Sequence, residues 1–162
     1  MGLDMYLTGK QYVSTYDRKP KDVQLQMMLK TVLKKWNMGN DKKQIDYPVQ
    51  YIEFSLMQWR KSNQIHEWFV QTVQKGKDDC GSYYVGEDDC KELLKICKIV
   101  LENKGNDKKI LELLPPQSGC FFGSTDLDEY YFEDIKETAE VLQNILDKDL
   151  HSELEVYYHS SW

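Results

Sequence analysis

The residues best equipped for chemistry lie in two stretches. Gln117–Tyr131 reads QSGCFFGSTDLDEYY and holds two glycines, three hydroxyl residues, two phenylalanines and three acids. Gln117, Ser118, Gly119, Gly123, Ser124 and Thr125 have the make-up of a ligand loop before a helix. Glycine lets backbone amides approach an anion, and a helix start offers unpaired N–H groups and a positive dipole end. No lysine follows, and GxxxxGK[ST] is absent. Asp126, Asp128 and Glu129 would repel phosphate, and they suit the positive end of a helix instead. Asp126 with Glu129 has the spacing of a capping box. Asp126-x-Asp128 also offers oxygen ligands to a divalent cation, but the EF-hand spacing is not met, so no metal is expected.

The second stretch is Trp59–Phe69, with Arg60 and His66. A guanidinium near an imidazole suits anion anchoring and acid–base work. No motif places a nucleophile beside them, and a structural histidine is the simpler reading. His66, Cys80, Cys90 and Cys120 lack the short CxxC hooks of structural zinc. Cys90 and Cys97 fall seven apart on one helical face and read as small apolar residues. No cofactor is implied.

Both stretches need a scaffold, and hydrophobic periodicity supplies one. Leu3, Met5 and Leu7 alternate with polar neighbours as in a half-buried strand, which Gly9 ends or bends. Val23–Trp36 carries Leu25, Met28, Leu29, Val32, Leu33 and Trp36 on one helical face, with Asp22 as its cap and Gly39 as its stop. Asn37–Tyr47 is turn-like, and Val49–Leu56 reads as a strand. Ser62 or Asn63 caps a helix with Ile65, Trp68, Phe69, Thr72 and Val73 inside and Gly76 as its stop. Ser82–Val85 is a short strand. Leu93, Leu94, Cys97, Val100 and Leu101 mark the next helix. Ile110–Leu114 stays open between helix and strand. Cys120–Phe122 reads as a short strand and Ser124–Asp126 as a helix cap. Phe132, Ile135, Ala139, Leu142 and Leu146 form the inner face of a long helix, and Leu154–His159 a closing strand. The expectation is one α+β domain over residues 1–162: a small mixed or antiparallel sheet with about four helices packed on it.

Composition narrows the function. The chain of 162 residues is 41% hydrophobic and 30% charged, as in a globular protein. No apolar run approaches the ~20 residues that span a bilayer, so no membrane association is expected. The opening MGLDMYLTGK lacks the basic-then-apolar pattern of a secretory signal, and the four cysteines read as free thiols of a reducing compartment. Residues 1–81 carry 13 Lys+Arg against 9 Asp+Glu, while residues 82–162 carry 8 against 18, so charges of +4 and −10 give the net −6. Nucleic acid is not expected through the acidic half, since phosphates are repelled there. A basic protein partner fits it. The pairs Tyr83–Tyr84, Tyr130–Tyr131 and Tyr157–Tyr158 supply aromatic anchors of the kind that dominate interfaces. A homodimer through a strand edge or the tyrosines stays open.

At MGLDMYL, WRKSNQIHEWFV, DDCGSYY, LPPQSGCFFGSTDLDEYY and the final SSW, the chain resembles a family of small proteins encoded by bacteriophages and prophages that carry no established activity. The resemblance implies a bacterial cytoplasm and no catalytic residues. The leading expectation is a non-enzymatic accessory protein. It would bind a host or phage protein, such as a component of a bacterial defence or regulatory system, through Asp126, Asp128, Glu129, Tyr130, Glu133 and Glu137. The alternative is a small enzyme or ligand-binding protein joining Arg60 and His66 to the Gln117–Thr125 loop.

Overall fold

A computed structural model describes residues 2–14, 20–36 and 49–162. Among these described residues the fold is α+β, with a four-stranded antiparallel sheet and five helices. The strands are β1 (Asp4–Tyr12), β2 (Tyr51–Arg60), β3 (Tyr83–Tyr84) and β4 (Glu155–Ser161). The helices are α1 (Pro20–Trp36), α2 (Asn63–Thr72), α3 (Glu87–Glu102), α4 (Asp107–Leu113) and α5 (Glu129–Asp147). A single 3-10 turn, Leu150–Ser152, precedes β4. The order across the sheet is β2-β1-β4-β3, and β3 meets β4 with Tyr83 opposite Tyr158 and Tyr84 opposite Tyr157. The residues fall into two compact units, Met1–Gly9 with Phe54–Trp162, and Lys10–Glu53.

In the larger unit, alternation decides which face of the sheet is buried. Leu3 just ahead of β1, Met5 and Leu7 of β1, and Val156 and Tyr158 of β4 join a core with Ile65 and Phe69 of α2, Leu93, Cys97 and Val100 of α3, and Ile135, Leu142 and Ile145 of α5. The other side carries cross-strand pairs. Tyr6 stacks on His159 with centroids 4.7 Å apart, and Tyr84 meets Tyr157 edge-on at 5.9 Å. Such pairs fix register as well as adding contact.

Gly9 does not end β1, which runs on to Tyr12. A Cβ at Gly9 would lie 2.9 Å from Leu154 Cδ1 and 3.3 Å from Leu56 Cδ1, so the glycine admits two leucines that close over the strand. β2 reaches past Leu56 to Arg60, and Ile110–Leu114 resolves as α4 with its C-cap at Leu114. Asn106 begins α4 by accepting from Lys109 N. No strand forms at Cys120–Phe122. There Phe122 N donates to Gly119 O in a turn, and Phe121 takes φ 70°, outside the extended range of a strand.

The helix ends correct the expected caps. α5 starts after Asp128, whose side chain accepts from Tyr131 N at 3.0 Å, and not at Ser124–Asp126. Asp126 accepts from Ser124 Oγ at 3.0 Å within the loop. The buried face of α5 keeps Ile135, Ala139 and Leu142 but adds Tyr131, Thr138 and Ile145, leaving Phe132 and Leu146 half-buried. Tyr131 and Thr138 can turn inward because each hydroxyl finds a buried partner: Leu114 O at 2.7 Å and Trp59 Nε1 at 2.7 Å. α2 ends at Thr72, ahead of Gly76, with Gly76 N donating to Val70 O.

The smaller unit carries α1. It begins at Pro20, whose fixed φ suits a first helical position, ahead of the expected cap at Asp22. Gln26 Nε2 donates to Val49 O at 2.6 Å, and Val13 N donates to Gln50 O at 2.9 Å. Met28 and Val32, expected to face a core, are 64% and 46% exposed. The expected Gly39 stop and the Asn37–Tyr47 turn lie outside the described residues, as do the side chains of Leu33 and Trp36.

Candidate functional site

The two stretches singled out by their chemistry meet in space, and Asn63 joins them. Asn63 opens α2 and is buried. Its Nδ2 donates to Phe122 O at 3.1 Å and to Ser124 O at 2.8 Å, and its Oδ1 accepts from Gln117 N at 2.9 Å. One amide side chain thus satisfies three backbone groups of the Gln117–Thr125 loop. Lys61, with φ 63°, lies under the same loop. A Cβ at Gly123, where φ is 101°, would come within 3.0 Å of Lys61 Cβ and 3.2 Å of its carbonyl. Only glycine lets those two backbone segments approach so closely in that conformation.

His66 sits beneath this junction, fully buried at 0% exposure. Its Nδ1 lies 2.7 Å from Tyr158 Oη and its Nε2 3.2 Å from Asp78 Oδ2. A carboxylate only accepts, so Nε2 carries the proton and Nδ1 accepts from the phenol. Burial raises the Tyr158 hydroxyl far above its ordinary value, which agrees with a phenol that donates. Phe122 meets the imidazole edge-on at 5.4 Å, and Phe69 stacks on the Tyr158 ring at 4.0 Å. Asp78 also accepts from Trp162 Nε1 at 3.0 Å, and Trp162 packs against Phe122 at 6.2 Å. The chain Asp78–His66–Tyr158 has the connectivity of a charge relay. Its imidazole and phenol are buried among aromatic rings while the Asp78 side chain stays 26% exposed, and it ties α2, β4 and the 78–81 turn together.

Arg60 does not join His66. Trp59 contacts Phe69 and Tyr158 on the core side of the sheet, so its neighbour Arg60 points to the opposite face. There Arg60 is 74% exposed beside Asp4 at 3.9 Å. In the loop, Ser118, Gly119, Gly123, Ser124 and Thr125 are exposed, while Gln117 is half-buried. The Ser124 hydroxyl is already engaged, donating to Asp126 and accepting from its backbone N–H.

The acidic residues fare differently from one another. Asp128 is occupied as the α5 cap. Glu129, Tyr130, Glu133 and Glu137 are exposed along α5, Tyr130 to 76%. Each tyrosine pair splits in exposure: Tyr131 and Tyr158 are buried while Tyr130 is exposed and Tyr157 half-buried. All four cysteines are free thiols. Cys90 faces His151 at 3.9 Å, but that Nε2 donates to Val85 O at 3.3 Å, so its lone pair is not offered to the thiol. Burial, with Asp89 and Glu87 nearby, pushes the Cys90 thiol up to about 12. Among the described residues no three His, Cys, Asp or Glu side chains gather as a metal site.

Sequence reasoning missed Asn63 as a clamp and missed Asp78, Thr138 and Tyr158 as buried polar partners. Asn63 carried a weak signal: an amide at a helix start inside an otherwise apolar stretch. The others carried none, because their partners lie 12 to 92 positions away. Compared with known proteins, the chain matches no family model, no curated protein and no solved structure.

Proposed function

We propose that this is a phage-encoded accessory protein that acts in the bacterial cytoplasm by binding a basic surface of a host or phage protein through the outer face of α5. The observation that carries the reading is the pairing of exposed charge with an exposed ring. Glu129, Glu133 and Glu137 project outward, and Tyr130 stands among them at 76% exposure. A large rigid ring framed by like charges suits an anchor in a cationic groove. The partner class includes components of bacterial defence or regulatory systems. The alternative of a small enzyme or ligand-binding protein draws no support from the geometry, because Arg60 and His66 lie on opposite faces of the sheet and His66 is sealed.

Retention of a partner from bacterial lysate tests the reading. Glu129→Lys, Glu133→Lys and Glu137→Lys together should abolish retention, and Tyr130→Ala alone should weaken it about tenfold or more. Asp128 is left intact so that the α5 cap survives. Retention unchanged in the triple variant would sink the proposal.

A further inference from the structure

We infer that Trp162 is a strap over the Asp78 side of the buried His66–Asp78 pair, and that it lifts without the rest of the fold opening. The two oxygens of Asp78 have different partners. Oδ2 accepts from His66 Nε2 at 3.2 Å, and Oδ1 accepts from Trp162 Nε1 at 3.0 Å. The Trp162 ring also packs edge-on against Phe122 at 6.2 Å, and Phe122 meets the imidazole edge-on at 5.4 Å. Trp162 therefore touches two of the groups that enclose His66: the carboxylate that accepts its ring proton and the phenyl beside it.

The other members of this shell are tied down, which makes Trp162 the part free to move. The segment that carries Asp78 is fastened on both sides. Before it, Gly76 N donates to Val70 O at 2.8 Å and Gln74 Nε2 donates to Lys77 O at 2.6 Å. After it, Asp79 accepts from Gly81 N at 2.9 Å and from the Tyr83 hydroxyl at 2.9 Å. Tyr158 is fully buried inside β4, and Phe122 is buried with its N–H donated to Gly119 O. Trp162, by contrast, lies past Ser161, where β4 ends, and is 51% exposed. A solvent-exposed hydrogen bond and a ring edge hold it. A side chain placed so belongs to the low-stability end of a fold, where segments open locally while the core stays closed. Lifting it bares Asp78 Oδ1 and gives water a path to His66 Nε2, so a carboxylate–imidazole pair that is closed when strapped can exchange its proton when not. The strap stands apart from the proposed partner face on α5, and its test needs no partner.

Exchange of side-chain N–H protons with water, followed by nuclear magnetic resonance on the intact chain, tests it. His66 and Trp59 are both buried, at 0% and 3% exposure, and the Trp59 N–H is donated to Thr138 inside the core. With intrinsic rates divided out, the His66 ring N–H of the wild type should be about 100-fold or more less protected than the Trp59 N–H, because the strap opens far more often than the core. Equal protection would overturn the proposal, since His66 would then meet water only when the whole fold opens. Trp162→Ala should lower the protection of His66 by a further factor of about ten or more and leave that of Trp59 unchanged. Trp162→Phe, which keeps a ring and loses the donor, should fall between the two. Unchanged protection of His66 in Trp162→Ala would equally overturn the strap. Should that variant not fold, the wild-type comparison of His66 with Trp59 decides by itself.

Discussion

At the scale of single residues, buried polar side chains tie distant elements together through their hydrogen bonds. Trp59 is buried and its indole N–H has the Thr138 hydroxyl as its acceptor at 2.7 Å. Thr138→Val keeps the shape but orphans that donor. The expected loss is about 1–3 kcal/mol, the cost of an unsatisfied buried group, seen as a lower melting temperature. Thiol labelling gives a second check. Cys80 and Cys120 are exposed, whereas Cys90 and Cys97 are buried in α3 with thiols pushed up to about 12. A thiolate-specific reagent at pH 8 should therefore modify two cysteines at once, and the other two only on unfolding. Labelling of all four in the folded state would contradict the packing of α3.

At the scale of elements, the helix starts separate what sequence spacing suggested from what geometry uses. Asp126 and Glu129 had the right interval for a reciprocal cap, yet the loop turns at Phe121 and Gly123, both with positive φ, and delivers Asp128 to the start of α5. A short-range pattern cannot foresee that rotation, because it depends on Asn63 and Lys61 holding the loop from far away in sequence. Asp128→Ala should cost about 0.5–2 kcal/mol in thermal or denaturant unfolding, as loss of an N-cap does. Asp126→Ala should stay within about 0.5 kcal/mol, as for a surface change. The reverse ranking would restore the cap expected from spacing. Gly123→Ala makes a third case. It places a Cβ 3.2 Å from the Lys61 carbonyl at a backbone angle that alanine resists, so a loss of about 1 kcal/mol or more is expected.

At the scale of the molecule, the sheet alternation and the helical stripes were legible in the sequence because burial on one face writes a period into the chain. The division into two units was not. β1 and β2 each run unbroken across the boundary, so no glycine- or proline-rich linker marks it. Charge did carry a trace of it. Lys10–Glu53 holds 9 Lys+Arg and 5 Asp+Glu, whereas the rest holds 12 and 22, so the whole imbalance of +4 against −10 follows the units. The polar contacts were illegible for a different reason: hydrogen bonds between distant positions leave no periodicity. If the acidic unit meets its partner by charge, raising salt from 0.05 to 0.5 M should weaken binding markedly, since screening then acts within about 4 to 14 Å. Salt-insensitive binding would point to an apolar interface instead.

Asn63 has one more consequence. Its side chain fastens backbone groups 54 to 61 positions away. The beginning of α2 and the distant loop therefore open to water as one event and not as two. The amide of Gln117 serves as its reporter: its deuterium uptake should keep pace with that of the first turn of α2, and Asn63→Ala should release it without hastening exchange in the middle of α3.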